Sequence, residues 1–422
     1  TLLEAYLRAA TEVSRLAVGN PAAPSVSAKY TNPIDVSQHA WDHLEGTPFG
    51  TRGGMVVTHD FPADGEYVFS FETLFGMGTG FEDLDVSIDG IGVAQLALEH
   101  GQGGSVEIST EPIFVTAGQH QVAVAFVRKI DGPYEDRLSP FDWSFVGGED
   151  AQQWANYGIT GLPHLADLMI TGPTVVAGVS ETPSRARIFT CHPEAPMAPA
   201  RSTSTGESSD SRACAESIVR RLATEAYRRP VTDEDVAGPM SFYDEGFAEG
   251  GFEIGVRTAL QAILASPSFL FRLERMPEGV REGEAYPIAD LDLASRLSFF
   301  LWGLGPDDKL RNVAAAGGLS NDDVLEAQVR RMLADPRSEA LSTRFASQWL
   351  RLQDAPKIQP EPFQYPDFSG QLGDDMIRET QLFFDRLVRE DRSFFELYDA
   401  DWTIVNQRLA EHYGFSGVTG DE

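Results

Sequence analysis

The period of the hydrophobic pattern changes once along this chain, and that change limits the folds open to it. From about Gly53 to Pro173 apolar and polar residues alternate; beyond the segment between Cys191 and Cys214 apolar residues recur three and four positions apart. Alternation puts successive side chains on opposite faces of a strand, whereas the longer spacing puts them on one face of a helix. In GEYVFSFE the rings of Tyr67, Phe69 and Phe71 share a face, as do Val122, Val124 and Phe126 in HQVAVAF. Turn formers (ADG, IDGIG, HGQGG, TAG, DGP) separate these runs, the mark of a sandwich or jelly roll. The fold class expected is therefore multidomain β plus α: a jelly-roll-like β-sandwich followed by an all-α helical domain.

The boundaries follow the pattern. Residues 1–20 are predicted as an N-terminal helix, with Leu3, Tyr6, Leu7, Ala10 and Val13 in one stripe, and 21–52 as a linker. The sandwich spans 53–175 and a disulfide-stapled linker 176–215. A first helical domain covers 216–280 and a second, truncated one covers 281–422. Thr232 before DEDV is a predicted N-cap, with Asp235 three residues on. The aromatic-rich strings SFLF, SFFLW, QLFF and SFFELY repeat at helical spacing and are expected to be core.

The charge balance excludes some functions. There are 33 Lys+Arg against 64 Asp+Glu, a formal net charge of −31. No basic face exists for nucleic acid, and docking on anionic lipid is disfavoured. No stretch approaches the roughly 18 apolar residues of a membrane-spanning helix. Cys191 and Cys214 are the two cysteines, flanking a Pro-, Ala- and Ser-rich stretch, and are read as one disulfide; that implies a periplasmic or extracellular setting.

Several strings carry a family resemblance. EGTPFGTRGGMVVTHDFPADGEYVF (45–69) resembles the start of a β module in planctomycete-type cytochrome-c-associated multidomain proteins. ETPSRARIFTCHP with CAESIVRRLATEAYRRPVTDEDV and GGFEIGVRTALQAILASPSFLFRLE is similar to their first helical domain. LASRLSFFLWGLGPDDKL, EAQVRRMLADPRSEALSTRFASQWL and ETQLFFDRLVREDRSFFELYDADWTIVNQRLAEHYG are similar to the next. The resemblance covers nearly the whole chain. It implies an exported precursor with a signal peptide, a c-type haem region before residue 1 and further domains after residue 422; it implies no known reaction, since these are serial domains of unknown function. The chain itself has no C-x-x-C-H attachment motif, because Cys191-His192 is preceded by Ile188 where the first Cys would stand. Haem is thus expected in a missing region or in a partner, a c-type cytochrome domain or chain.

The β module also resembles calcium-dependent carbohydrate-binding jelly rolls of xylan-active enzymes. Calcium takes six to eight oxygens from loop carboxylates and carbonyls. Asp131, Glu135, Asp136 and Asp142 in DGPYEDRLSPFDW, with Asp167 before the strand LMITG, are the candidate ligands; Tyr134 and Trp143 are candidates for stacking on a sugar ring. In so acidic a chain, clustered loop acids also follow from composition alone. FEDLD (81–85) is a second acidic cluster. Glu72 and Glu107 lie in strands, and paired carboxylates across a groove serve glycoside hydrolysis. His39 and His43 have the i, i+4 spacing of zinc ligands without a third. GTRGG and GMGTG read as turns or bulges rather than phosphate loops.

The function expected is an extracytoplasmic binding and scaffold segment whose β module holds a polysaccharide or surface glycan. The alternatives are a haem-linked oxidoreductase acting on carbohydrate and a structural subunit of a cell-surface assembly.

Overall fold

The computed structural model describes residues 2–32, 38, 44–74, 83–98, 106–127, 164–193, 209–272, 274, 279–281 and 283–420, the last range without 359, 361–363, 366–367 and 369. The chain divides into two compact units. One comprises Thr1–Val18, Pro183–Asp354 and Ile377–Ile404; the other comprises Gly19–Thr182, Ala355–Met376 and Val405–Glu422.

The second unit contains a β-sandwich. Its described strands are β1 (Val26–Thr31), β2 (Thr51–Phe61), β3 (Asp64–Leu74), β4 (Asp83–Ile88), β5 (Ile91–Ala97), β6 (Val106–Ser109), β7 (Ile113–Val115), β8 (Gly118–Val127) and β9 (His164–Gly178). One antiparallel sheet runs β1-β9-β3-β6, with β7 also on β3; the other runs β2-β8-β4-β5. The predicted inward faces are the observed ones. Tyr67, Phe69, Phe71, Val122, Val124 and Phe126 are essentially inaccessible and pack with Leu84, Val86, Leu168 and Ile170 between the sheets. Strand β1 lies inside the 21–52 stretch that was expected to be a linker, and pairs with β9 from Val26↔Gly172 to Thr31↔Asp167.

Polar side chains close the sandwich at two places. At one, Gln38 donates to the Leu165 carbonyl at 3.0 Å and accepts from the Leu165 N–H at 2.8 Å and the Gly54 N–H at 3.3 Å. Asn32 donates to the Gly54 carbonyl at 2.8 Å, and buried Arg52 donates to the Gln38 carbonyl at 2.8 Å. These bonds tie β9 to a bulge in β2 at the GTRGG string. A Cβ on Gly54 would sit 1.9 Å from the Val124 carbonyl oxygen, so the bulge requires glycine. At the other, the Tyr30 hydroxyl meets His59 Nδ1 at 2.8 Å, joining the edge strands β1 and β2. The His59 ring also packs edge-on against Phe61, with centroids 4.5 Å apart.

The first unit is helical. Helix α1 (Leu2–Val18) belongs to it although the sandwich intervenes in sequence. Then come α2 (Pro183–Ile188), α3 (Ser209–Tyr227), α4 (Asp233–Gly250), α5 (Phe252–Ala265), α6 (Pro267–Leu270), α7 (Asp290–Trp302), α8 (Asp308–Ala315) and α9 (Asp322–Leu333). Ala10, Ser14 and Val18 are the buried positions of α1, and Gln261 on α5 donates to Thr11 at 2.8 Å. The buried Arg185 guanidinium donates to the Val18 carbonyl and grips Glu253 through both carboxylate oxygens, at 2.6 and 3.1 Å. Cys191 and Cys214 form the expected disulfide, Cα–Cα 6.0 Å, at the edge of a core that includes Ile188, Ile218, Val219, Tyr243, Val256 and Ile263.

The YRRPVTDED string resolves into two clamps. Thr232 and Asp235 form the predicted capping box, and Arg229 grips Asp235 at 2.7 and 2.8 Å. That guanidinium, with the Thr232 bonds, holds the Asp235 carboxyl far below the usual range against the opposing effect of burial. Arg228 does something else. It sits at φ 60° and donates to the carbonyls of Ala226, Ser268, Phe269 and Phe271. The helical run over FEIGVRTALQAILASPSFLF breaks at Ser266, and Arg228 satisfies carbonyls freed there.

Two outcomes follow. Arg228→Ala leaves those carbonyls without a donor and is expected to cost about 3 kcal/mol in chemical denaturation. Arg330→Ala, which removes an exposed i, i+4 pair with Glu326, is expected to stay within about 0.5 kcal/mol. Separately, burial lowers the His59 pKa below its ordinary 6.5, opposed by Asp60. The unfolded chain takes up this proton first, so the contribution of neutral His59 is complete above about pH 6.5 and lost as pH falls below it. The melting temperature of the sandwich should drop between about pH 7.5 and about pH 5.5, either side of that pKa, and His59→Gln should flatten the drop.

Candidate functional site

The outer face of the five-stranded sheet carries the densest set of polar groups that the register brings together. Strand alternation sends Ser27, Lys29 and Thr31 of β1 outward, opposite Thr171, Met169 and Asp167 of β9. On β3, Ser70 lies opposite Met169 and Glu72 opposite Asp167. On β6, Ser109 lies opposite Ser70 and Glu107 opposite Glu72. One row across four strands therefore reads Thr31, Asp167, Glu72, Glu107. The adjoining row reads Lys29, Met169, Ser70, Ser109.

The groups in these rows are linked. Thr31 Oγ1 donates to Asp167 Oδ1 at 2.6 Å, and Lys29 Nζ pairs with Asp167 Oδ2 at 2.9 Å. The Ser109 hydroxyl donates to Ser70 Oγ at 2.9 Å. Burial works to raise the Asp167 pKa, but the Thr31 and Lys29 hydrogen bonds and the Lys29 charge hold it low. Asp167 is thus an anion with fixed orientation, and its neighbour Glu72 is half-buried beside exposed Glu107. Directly opposed like charges on adjacent strands destabilise a sheet. Carboxylates held this close accept hydrogen bonds from adjacent hydroxyls, which is what a sugar presents.

Of the residues singled out from sequence, Asp167 is on this face, and Glu72 and Glu107 are brought opposite one another. Asp131, Tyr134, Glu135, Asp136, Asp142 and Trp143 lie outside the described residues, as do His39 and His43. Among the described residues no group of three or more His, Cys, Asp or Glu is placed to hold a metal. Asp167 Oδ2 is paired with the Lys29 ammonium, whose side chain is largely exposed. In FEDLD, Asp83 accepts from Gln95 at 2.9 Å, while burial raises the Asp85 pKa and leaves its Oδ1 without a hydrogen bond.

The helical unit has a shallow cleft of about 270 Å³ lined by Tyr227, Asp235, Pro239, Phe242, Ser266 and Ser268. Its one carboxylate is committed to Arg229 and the helix cap. The aromatic strings, expected to be core throughout, divide. Trp302 and Phe384 are core, but Phe300, Phe394, Phe395 and Tyr398 are exposed. Helical spacing alone does not separate a buried ring from a presented one, since both faces of a helix here carry aromatics.

Comparison with known proteins places two domains on the chain. Residues 214–274 match the family model PSD5, a protein of unknown function (DUF1595), and residues 288–415 match PSD4, a protein of unknown function (DUF1592). These are serial domains of unknown function typical of planctomycete cytochrome-c-associated proteins. No curated protein matches the chain. Among solved structures, the C-terminal domain of EclA, a sugar-binding protein, is 14% identical over 35% of this chain and 79% of its own, with a TM-score of 0.19. The C-terminal CBM6 of LamC, a marine laminarinase from Zobellia galactanivorans, is 14% identical over 35% of this chain and 100% of its own, TM-score 0.19. Dimeric latent PorU from Porphyromonas gingivalis is 11% identical over 35% of this chain and 12% of its own, TM-score 0.20.

The register that sets Glu72 opposite Glu107 has an expected cost. Glu107→Gln should raise the stability of the chain by about 0.5 kcal/mol at low salt, and the gain should vanish at high salt, where the repulsion is screened.

Proposed function

We propose that this chain is an extracytoplasmic binding and scaffold segment whose sandwich holds a glycan on the outer face of the five-stranded sheet. The observation that carries this is the row Thr31, Asp167, Glu72, Glu107: aligned acceptors and hydroxyls, with like charges kept opposed at a cost to the sheet. Neutral polyols bear vicinal hydroxyls that donate to such carboxylates, and binding would relieve the repulsion. The disulfide supports an oxidising compartment. The two serial domains support a place beside a c-type cytochrome, in a domain or chain other than this one. The helical unit then serves as scaffold, since its strongest motifs are used up in holding it together.

The test is retention of the 422-residue chain on immobilised neutral polysaccharides, compared with Asp167→Asn and Glu72→Gln. Wild-type retention that falls about tenfold or more in both variants, with unchanged melting curves, is the expected result. A chain that no polysaccharide retards, and whose melting temperature none raises, would remove the glycan from the proposal.

A further inference from the structure

The three tryptophans within residues 288–415 are treated differently by the fold. Trp302 is 1% exposed, donates its indole N–H to the Met332 carbonyl at 2.9 Å, and lies under the Arg337 guanidinium, 3.6 Å from the ring centroid. Trp402 is stacked on Phe383 at 4.2 Å, covered by Arg392 at 4.6 Å, and donates to Glu396 at 2.8 Å. Trp349 is 48% exposed. Among the described residues no cation covers it.

Trp349 stands in a continuous aromatic face. Phe345 lies parallel to it at 6.2 Å and 16°, Phe394 approaches at 5.8 Å, and Phe300 meets Phe345 at 5.8 Å. Phe345 closes a π-helical turn, Leu341–Ala346, an element frequent at functional sites. Phe395 and Tyr398, on the segment that carries Phe394, are more exposed still. Clustered exposed aromatics of this extent mark an interaction surface rather than chance exposure.

The charges around it indicate the partner. The arginines of these elements are already committed: Arg344 to the Gly303 carbonyl, Arg386 to Glu390, Arg389 to Asp385, Arg392 to Glu396 and Arg351 to Asp354. Asp391, Asp399 and Asp401 are exposed and form no ion pair among the described residues. The segment presenting the rings therefore bears uncompensated negative charge, on a chain of net charge −31. A second copy of the chain would be repelled, whereas a cationic surface would be steered in.

We propose that the face formed by Phe300, Phe345, Trp349 and Phe394 docks a basic polypeptide partner. Its lysines and arginines lie across the exposed rings and against the three aspartates. This site is separate from the sheet face argued to hold glycan.

The probe is a fluorescein-labelled amphipathic helical peptide of leucine and lysine, with a leucine and glutamine counterpart as neutral control. Fluorescence anisotropy with the full chain should show saturable binding of the lysine peptide, weakening as salt rises, and weaker binding of the glutamine peptide. Trp349→Ala should weaken the lysine peptide about thirtyfold. Asp399→Asn with Asp401→Asn, both exposed and in no ion pair among the described residues, should weaken it about tenfold and flatten the salt dependence. The proposal is overturned if the lysine peptide does not bind, if Trp349→Ala binds it as wild type does, if the glutamine peptide binds equally well, or if the face instead retains a polysaccharide in a Trp349-dependent way.

Discussion

A single buried guanidinium joins the point where this chain leaves its helical unit ahead of the sandwich to the point where it returns after it. The chain departs at Val18 and re-enters at Pro183, and Arg185 joins those points by donating to the Val18 carbonyl while gripping Glu253 on α5. The same side chain lies over the Phe189 ring at 5.0 Å, and Cys191 follows two residues later with its bond to α3. Arg185 is 6% exposed, so its charge is acceptable only with these partners in place. The core of Ile188, Ile218, Tyr243 and Ile263 is assembled around a junction that this contact defines.

Arginine has two structural roles here that look alike in sequence. Arg229 and Asp235 are an ion pair reinforcing a helix cap. Arg228, its neighbour, uses its fork of donors on four carbonyls and on no carboxylate, a geometry lysine cannot reproduce. The neighbouring Arg272 and the burial of the site lower the Arg228 pKa, burial being the larger effect, and the carbonyls compensate. The helical unit is therefore held by directed hydrogen bonds at its breaks as well as by apolar packing between its helices.

Much of the fold was legible because its signals are local. Alternation in GEYVFSFE and HQVAVAF gave the inward faces, Thr232 with Asp235 gave a cap, and two cysteines gave a disulfide. The missed elements depend on distant partners. Strand β1 is short, largely exposed and preceded by prolines, so nothing in VSAKYT announces that β9 will pair with it. The row Asp167, Glu72, Glu107 exists only through the register of three strands far apart in sequence. Trp302 and Trp349 sit in similar aromatic helical contexts; what buries one is arginines contributed from residues 331 and 337. The loop acids and rings from 131 to 143 lie outside the described residues, so their part in any ligand site rests on sequence.

The place of α1 has a consequence for how the molecule is made. Its hydrogen-bond partner on α5 lies 250 residues downstream, beyond the whole sandwich. During synthesis α1 emerges before any of the helices it packs on, with Leu2, Leu3 and Leu7 exposed even in the finished structure. All the described sandwich strands precede α3, α4 and α5 in sequence, so the sandwich can form before the helices that α1 needs have been made. Helix α1 therefore waits for α5 before it can find its place, and contacts of such long separation are slow to close.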